Sequence, residues 1–180
     1  MHKLIGGLRR KSESYHMLIH IFLGVFCGVS MWHVFPGSPL LKLMAIGAIG
    51  GILPDFDHIL FIFLYGRKSE FAKIVKGFLK KHKIRNAITF IKVNHKYNTA
   101  VYSHNMVSVL LAFSLFYYLY TVKDNASMSA FFLSWFVHYT FDIFEDVLFF
   151  KKVNPNWLLK FSKTVKKDLT KLYEHDKKLY

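Results

Sequence analysis

The sequence predicts an all-α fold, a polytopic membrane bundle of about four transmembrane helices with amphipathic helices on its cytoplasmic side. Three observations carry that expectation. Four apolar stretches approach or exceed the roughly 20 residues that cross a bilayer as helix. Basic residues collect between alternate stretches, and His, Asp and Glu residues lie inside the stretches themselves. The 180 residues hold 25 Lys and Arg against 11 Asp and Glu, yet 53% are hydrophobic, so two populations of sequence are interleaved. The single cysteine, Cys27, lies in an apolar run, which excludes an internal disulfide framework and a cysteine-based zinc motif.

The first apolar stretch covers residues 17–32 and follows Arg9, Arg10 and Lys11. No small-x-small cleavage site follows it, so it is read as a retained span, although its length also suits an interfacial or re-entrant segment. The second covers 40–65 and is interrupted by Gly47, Gly50, Gly51 and Pro54. In the loop 66–96, Phe71, Ile74, Val75, Phe78 and Leu79 interleave with Lys73, Lys76, Lys80 and Lys81 at helical spacing. That pattern predicts an amphipathic helix on the inner leaflet, where anionic lipid attracts it. The third stretch covers 100–122 and the fourth 129–150; a tail follows whose residues 157–179 have similar basic helical character. Residues 1–150 thus form a membrane-embedded domain that includes the basic loop 66–96, and residues 151–180 form a basic cytoplasmic tail.

Charge provides a check independent of hydropathy. Residues 1–15 carry four Lys and Arg, 66–96 carry ten and 151–180 carry nine, whereas 33–39 carry none and 123–128 carry one, beside Asp124. Four spans with both termini in the cytoplasm satisfy the positive-inside rule at every connection; three or five spans would place a basic block outside. The membrane accounts for the charge, and no nucleic-acid recognition motif is present, so membrane lipid rather than nucleic acid is the expected partner.

Ionisable groups inside a span cost several kcal/mol by insertion scales, of order 2.5–3.5 each for acids and bases at the centre, so each needs a reason. Five of the eleven acids lie in the apolar stretches: Asp55, Asp57, Asp142, Glu145 and Asp146. His20, His58, His104 and His138 lie there too, with His16 at the edge of the first. His16 and His20, and again His138 and Asp142, are four apart, which puts each pair on one helical face. In Pro54-Asp55-Phe56-Asp57-His58 the proline is expected to break the helix and let the two carboxylates converge. With the assumed topology, all these sets share one depth near the cytoplasmic face. A divalent-metal site follows: His and carboxylate without sulfur suit Zn²⁺, with Mn²⁺ or Fe²⁺ as alternatives, as one or two ions. Metal-assisted hydrolysis is the natural chemistry. Asp57 is the candidate general base on a bound water. His33, His82, His95 and His175 are read as solvated surface.

These residues resemble a family, the membrane-bound metal-dependent hydrolases that include LexA-binding, inner-membrane-associated hydrolases. The similarity rests on His20 or His16 before an apolar run, Leu53-Pro54-Asp55-Phe56-Asp57-His58, Ser103-His104-Asn105, and His138-Tyr139-Thr140-Phe141-Asp142, in the family's order over roughly residues 16–146. The resemblance implies metal ligands at Asp55, Asp57, His58, His104, His138 and Asp142 with one early His, and a bacterial inner-membrane location. Thr99 and Asn105 depart from the family pattern, which has His-Arg beginning at the first position and Ser at the second. The implied activity is hydrolysis of a phosphoester or related ester of a lipid or lipid-linked substrate, with lysines near the mouth orienting an anionic head group. The alternative is a non-enzymatic metal-binding membrane protein, a carrier or scaffold.

Overall fold

Every element among the described residues of the computed structural model, which are 2–94, 101–150 and 157, is helical. The tail expected over 157–179 lies outside these residues except for Trp157, as do His95 and Thr99. Helix α1 spans His2–Val34, 33 residues. At about 1.5 Å per residue it is longer than the hydrocarbon thickness of a bilayer, and its apolar part belongs to one continuous helix with no re-entrant turn. Helix α2, Leu40–Ile52, starts after Pro39 and runs into a 3₁₀ turn at Leu53–Asp55, a short α3 at Phe56–Leu60 and a π turn at Phe61–Tyr65. The expected break at Pro54 is therefore a tightening of the helix, not an interruption.

Helices α4, Glu70–Lys80, and α5, Ile84–Asn94, form a hairpin in the basic loop. The Ser69 side chain caps α4 by accepting from the Ala72 N–H at 3.1 Å. His82, in the left-handed region at φ 55°, turns the chain between the two helices. The predicted amphipathic helix is present, but its apolar face packs within the chain. Phe71, Ala72 and Val75 bury against Phe61, Ile62, Ala87, Phe90 and Val101 instead of lying open to a lipid surface.

Helix α6, Met106–Thr121, starts later than the apolar stretch because Asn105 caps it, its side chain accepting from the Ser108 N–H at 3.1 Å. Helix α7, Ala126–Phe150, follows a turn through Asp124 at φ 46°, and Asn125 accepts from the Met128 N–H at 3.0 Å. Residues 34–38 and 123–127 line one shared depression, so the α1–α2 and α6–α7 connections lie at the same end of the bundle.

Helix α1 packs on α2 and α7, α2 also on α7, and α6 on α7. The α1–α2 contact is one of backbone on backbone: a Cβ at Gly24 would strike the Gly47 carbonyl, and one at Gly28 the Leu43 carbonyl. Small residues at such a crossing are how helices approach without a water-driven core. The outer surface is apolar, with Phe22 71%, Leu41 77% and Val107 75% exposed, while His20, Ser129, Ser134, His138 and Asp142 are buried. Among the described residues two helical stretches are long and apolar enough to cross a membrane, Ser14–Val34 and Leu40–Tyr65. Helix α6 is apolar but shorter, and α7 is long enough but carries His138, Asp142, Glu145 and Asp146 along its second half.

Candidate metal centre

Four chain segments bring histidines and aspartates to one place: α1 with His16 and His20, the turn after α2 with Asp55 and His58, residues 101–105 with His104, and α7 with His138 and Asp142. Their ligand atoms form four overlapping triads, each with all atoms within 4.8 Å of one another: His16, His20 and Asp142; His20, Asp55 and His138; Asp55, His58 and His104; His104, His138 and Asp142.

Asp142 is surrounded by imidazoles. Its Oδ1 lies 3.6 Å from His20 Nε2 and 3.7 Å from His16 Nε2, and its Oδ2 lies 3.4 Å from His138 Nε2 and 3.5 Å from His104 Nε2. Asp55 has comparable neighbours, His138 and His104 Nε2 at 3.7 and 3.8 Å from Oδ1 and His16 Nε2 at 3.9 Å from Oδ2. These separations are long for hydrogen bonds. They suit donors arranged around an ion, because tetrahedral bonds of about 2.0–2.1 Å space neighbouring ligands about 3.3–3.4 Å apart.

Local structure orients the rings. Pro54 has no N–H to extend the helical ladder, and near this end of α2 the Gly51 carbonyl accepts a hydrogen bond from His138 Nδ1 at 2.7 Å. That bond fixes the tautomer in which Nε2 is the free acceptor. His138 Nε2 is buried and has no hydrogen-bond partner. In His104, Nδ1 lies 2.9 Å from Ser103 Oγ, a hydroxyl that can donate or accept, and the buried Nε2 is likewise without a hydrogen-bond partner. A buried acceptor left unmade is costly, and an aimed lone pair is what a metal takes up. The residues present thus fit a divalent ion, on donor type, on spacing and on these two orphaned nitrogens.

Asp57 stands apart from this cluster. It belongs to none of the triads. Its Oδ2 accepts from the Ser103 N–H at 2.7 Å and its Oδ1 from the Tyr65 hydroxyl at 2.8 Å, and Tyr65 Oη in turn accepts from the Tyr102 N–H at 3.1 Å. The physical reason is the turn itself. Asp55 and Phe56 keep right-handed helical angles, φ −67° and −61°, so residues two apart diverge by about 200° around the axis and cannot converge. Asp55 and His58, three apart, share a face and meet in one triad.

Three contributors were not singled out as site residues from sequence. Glu145, one turn beyond Asp142, places Oε2 3.4 Å from His16 Nδ1 and accepts a hydrogen bond from Ser12 Oγ. Gly51 supplies the carbonyl to His138, and Trp157 Nε1 donates to Asp146 Oδ2 at 3.0 Å beside the cluster. A signal for Glu145 existed in its spacing of three from Asp142; a backbone carbonyl leaves none.

No family model matches the chain, and neither a curated protein nor a solved structure matches it.

Proposed function

We propose that the chain is a four-span membrane protein, both termini cytoplasmic, whose divalent-metal centre hydrolyses a phosphoester or related ester of a lipid or lipid-linked substrate. The observation that carries this reading is the convergence of His16, His20, Asp55, His58, His104, His138 and Asp142 from four segments into overlapping ligand triads. Four spans are supported by the inverted distribution of polarity, buried His and Asp inside an exposed surface of Phe, Leu and Val, which water would not favour but lipid does. They are supported too by the length of α7, 25 residues, about 37 Å of helix, and by the alternation of basic connections. The resemblance to membrane-bound metal-dependent hydrolases adds the reaction class.

A bound divalent ion supplies Lewis acidity, polarising a phosphoryl oxygen and bringing the pKa of water towards about 7. The chain's own residues do the rest. His16, His20, His58, His104, His138, Asp55 and Asp142 would hold the ion, the Gly51 carbonyl sets the tautomer of His138, Ser103 Oγ pairs with His104 Nδ1, and Glu145 orients His16. Asp57 positions His104, holding residues 102–103 through Ser103 and Tyr65, a different role from the general base expected of it. The outward side of the site is at Asp55, the most exposed of the two carboxylates at 26% of its side chain. Phe56 and Ile59 flank it with exposed apolar surface, which suits a substrate arriving laterally from the inner leaflet.

The test is metal analysis of detergent-purified protein by elemental mass spectrometry, followed by a screen of phospholipids and lipid phosphates for head-group or phosphate release. The expected result is bound zinc, manganese or iron in the wild type, loss of metal and turnover in a folded His138→Ala, Asp142→Ala double variant, and turnover that tracks metal content. Metal without turnover on any lipid ester would sink the hydrolase and leave a carrier or scaffold; wild-type protein that binds no metal even on reconstitution would sink both.

A further inference from the structure

The two oxygens of Asp142 divide its imidazole neighbours into two pairs, and Asp55 repeats part of that division. On Asp142, Oδ1 faces His16 and His20 while Oδ2 faces His104 and His138. On Asp55, Oδ2 faces His16 while Oδ1 faces His104 and His138. The two carboxylates reach the site from different elements, the turn after α2 and the middle of α7, so the agreement does not follow from a shared backbone.

The histidines divide along the same line. His16 and His20 sit one turn apart on α1 with Nε2 atoms 3.1 Å from each other. His104 and His138 come from the segment before α6 and from α7, each with Nδ1 engaged and Nε2 orphaned. The rings of His20 and His138 stack at a centroid separation of 3.8 Å, inclined by 29°. Side by side, they present one Nε2 to each oxygen of Asp142. A single ion gives no reason for Asp142 to separate four imidazoles into two pairs, or for Asp55 to set His16 apart from His104 and His138 as well. Two ions would, each held by one histidine pair and one oxygen of Asp142, with Asp55 shared between them.

We infer that the centre is dinuclear, with Asp55 and Asp142 as bridging carboxylates, His16 and His20 on one ion and His104 and His138 on the other. This rests on the metal-binding reading above. Charge gives it a consequence for substrate. Two divalent cations against two carboxylates and four neutral imidazoles leave a positive centre, Glu145 offsetting part of it at His16, and such a centre selects an anionic phosphoester over a neutral carboxylic ester. Two-ion sites act as clamps on both oxygens of a phosphoryl displacement.

The experiment uses full-length protein in detergent, stripped of metal and titrated with Mn²⁺, read by elemental analysis and by electron paramagnetic resonance. The expected saturation is about two ions per chain, with the six-line signal of isolated Mn²⁺ replaced at full loading by an exchange-coupled spectrum. The His16→Gln, His20→Gln double variant, checked for folding by gel filtration, is expected to retain about one ion and give an uncoupled signal. Saturation of the wild type at one ion, or two ions without coupling, would overturn the bridged centre while leaving metal binding intact. Unchanged loading in the double variant would overturn the assignment of α1. Wild-type protein without any metal would overturn both this inference and the reading beneath it.

Discussion

Substituting Gly50 by alanine tests whether the centre depends on how closely α2 approaches α7. A Cβ at Gly50 would lie 2.5 Å from the Phe131 carbonyl oxygen and 3.2 Å from its Cα, where ordinary contact begins at 3.4 Å. Both clashing groups are backbone, so the helices must part by about 0.9 Å. The next residue, Gly51, holds His138 through a 2.7 Å hydrogen bond; a displacement of that size along the bond lengthens it to about 3.6 Å, outside hydrogen-bonding range. His138 then loses its orienting partner, and Asp55, carried on the same element, moves from Asp142. Overpacking of this kind costs about 1–3 kcal/mol of stability. Loss of an orienting partner lowers metal affinity about 10- to 100-fold. Competition against a fluorescent zinc chelator measures the affinity, and thermal unfolding in detergent measures the stability. Gly77→Ala is the control, because nothing lies within 4 Å of a Cβ there. It should keep affinity and gain up to about 1 kcal/mol from helix propensity. Wild-type affinity and melting in Gly50→Ala would refute the argument that backbone contact at the α2–α7 crossing sets the ligand geometry.

Other substitutions separate ligands from their supports. Glu145→Gln removes the charge 3.4 Å from His16 Nδ1 and should weaken metal binding about 10- to 100-fold without abolishing it, measured by the same competition. Asp57→Ala should act through His104, lowering affinity while leaving one ion or more bound; complete metal loss in a folded protein, seen by elemental analysis, would make Asp57 a ligand. Tyr65→Phe, which deletes the hydroxyl that joins Asp57 to the Tyr102 N–H, should cost about 0.5–1.5 kcal/mol of stability with metal content unchanged. Trp157→Phe withdraws the indole N–H from buried Asp146 and should cost about 1–3 kcal/mol; an unchanged melting temperature would mean that the pair contributes nothing.

What the sequence determined by itself was local. His16 with His20, and His138 with Asp142, were legible as pairs because an α-helix repeats every 3.6 residues and needs no knowledge of its neighbours. The all-helical class followed from apolar stretches long enough to cross a bilayer as helix, and the expectation of an amphipathic helix in the basic loop came true as α4. Tertiary structure decided what those faces meet. It turned the apolar side of α4 onto Phe61 and Phe90, and it started α6 at Met106 by giving Asn105 the cap. It also sent Asp57 to Ser103 and Tyr65, because the Pro54 turn stays helical and residues two apart then face different neighbours. The Gly51 carbonyl that fixes His138 was beyond any sequence pattern, since every residue carries a carbonyl and only the α2–α7 crossing selects this one. The division of the imidazoles between the two oxygens of Asp142 depends likewise on the approach of α1, α7 and the segment before α6 from different sides, a relation among distant residues that no local spacing encodes.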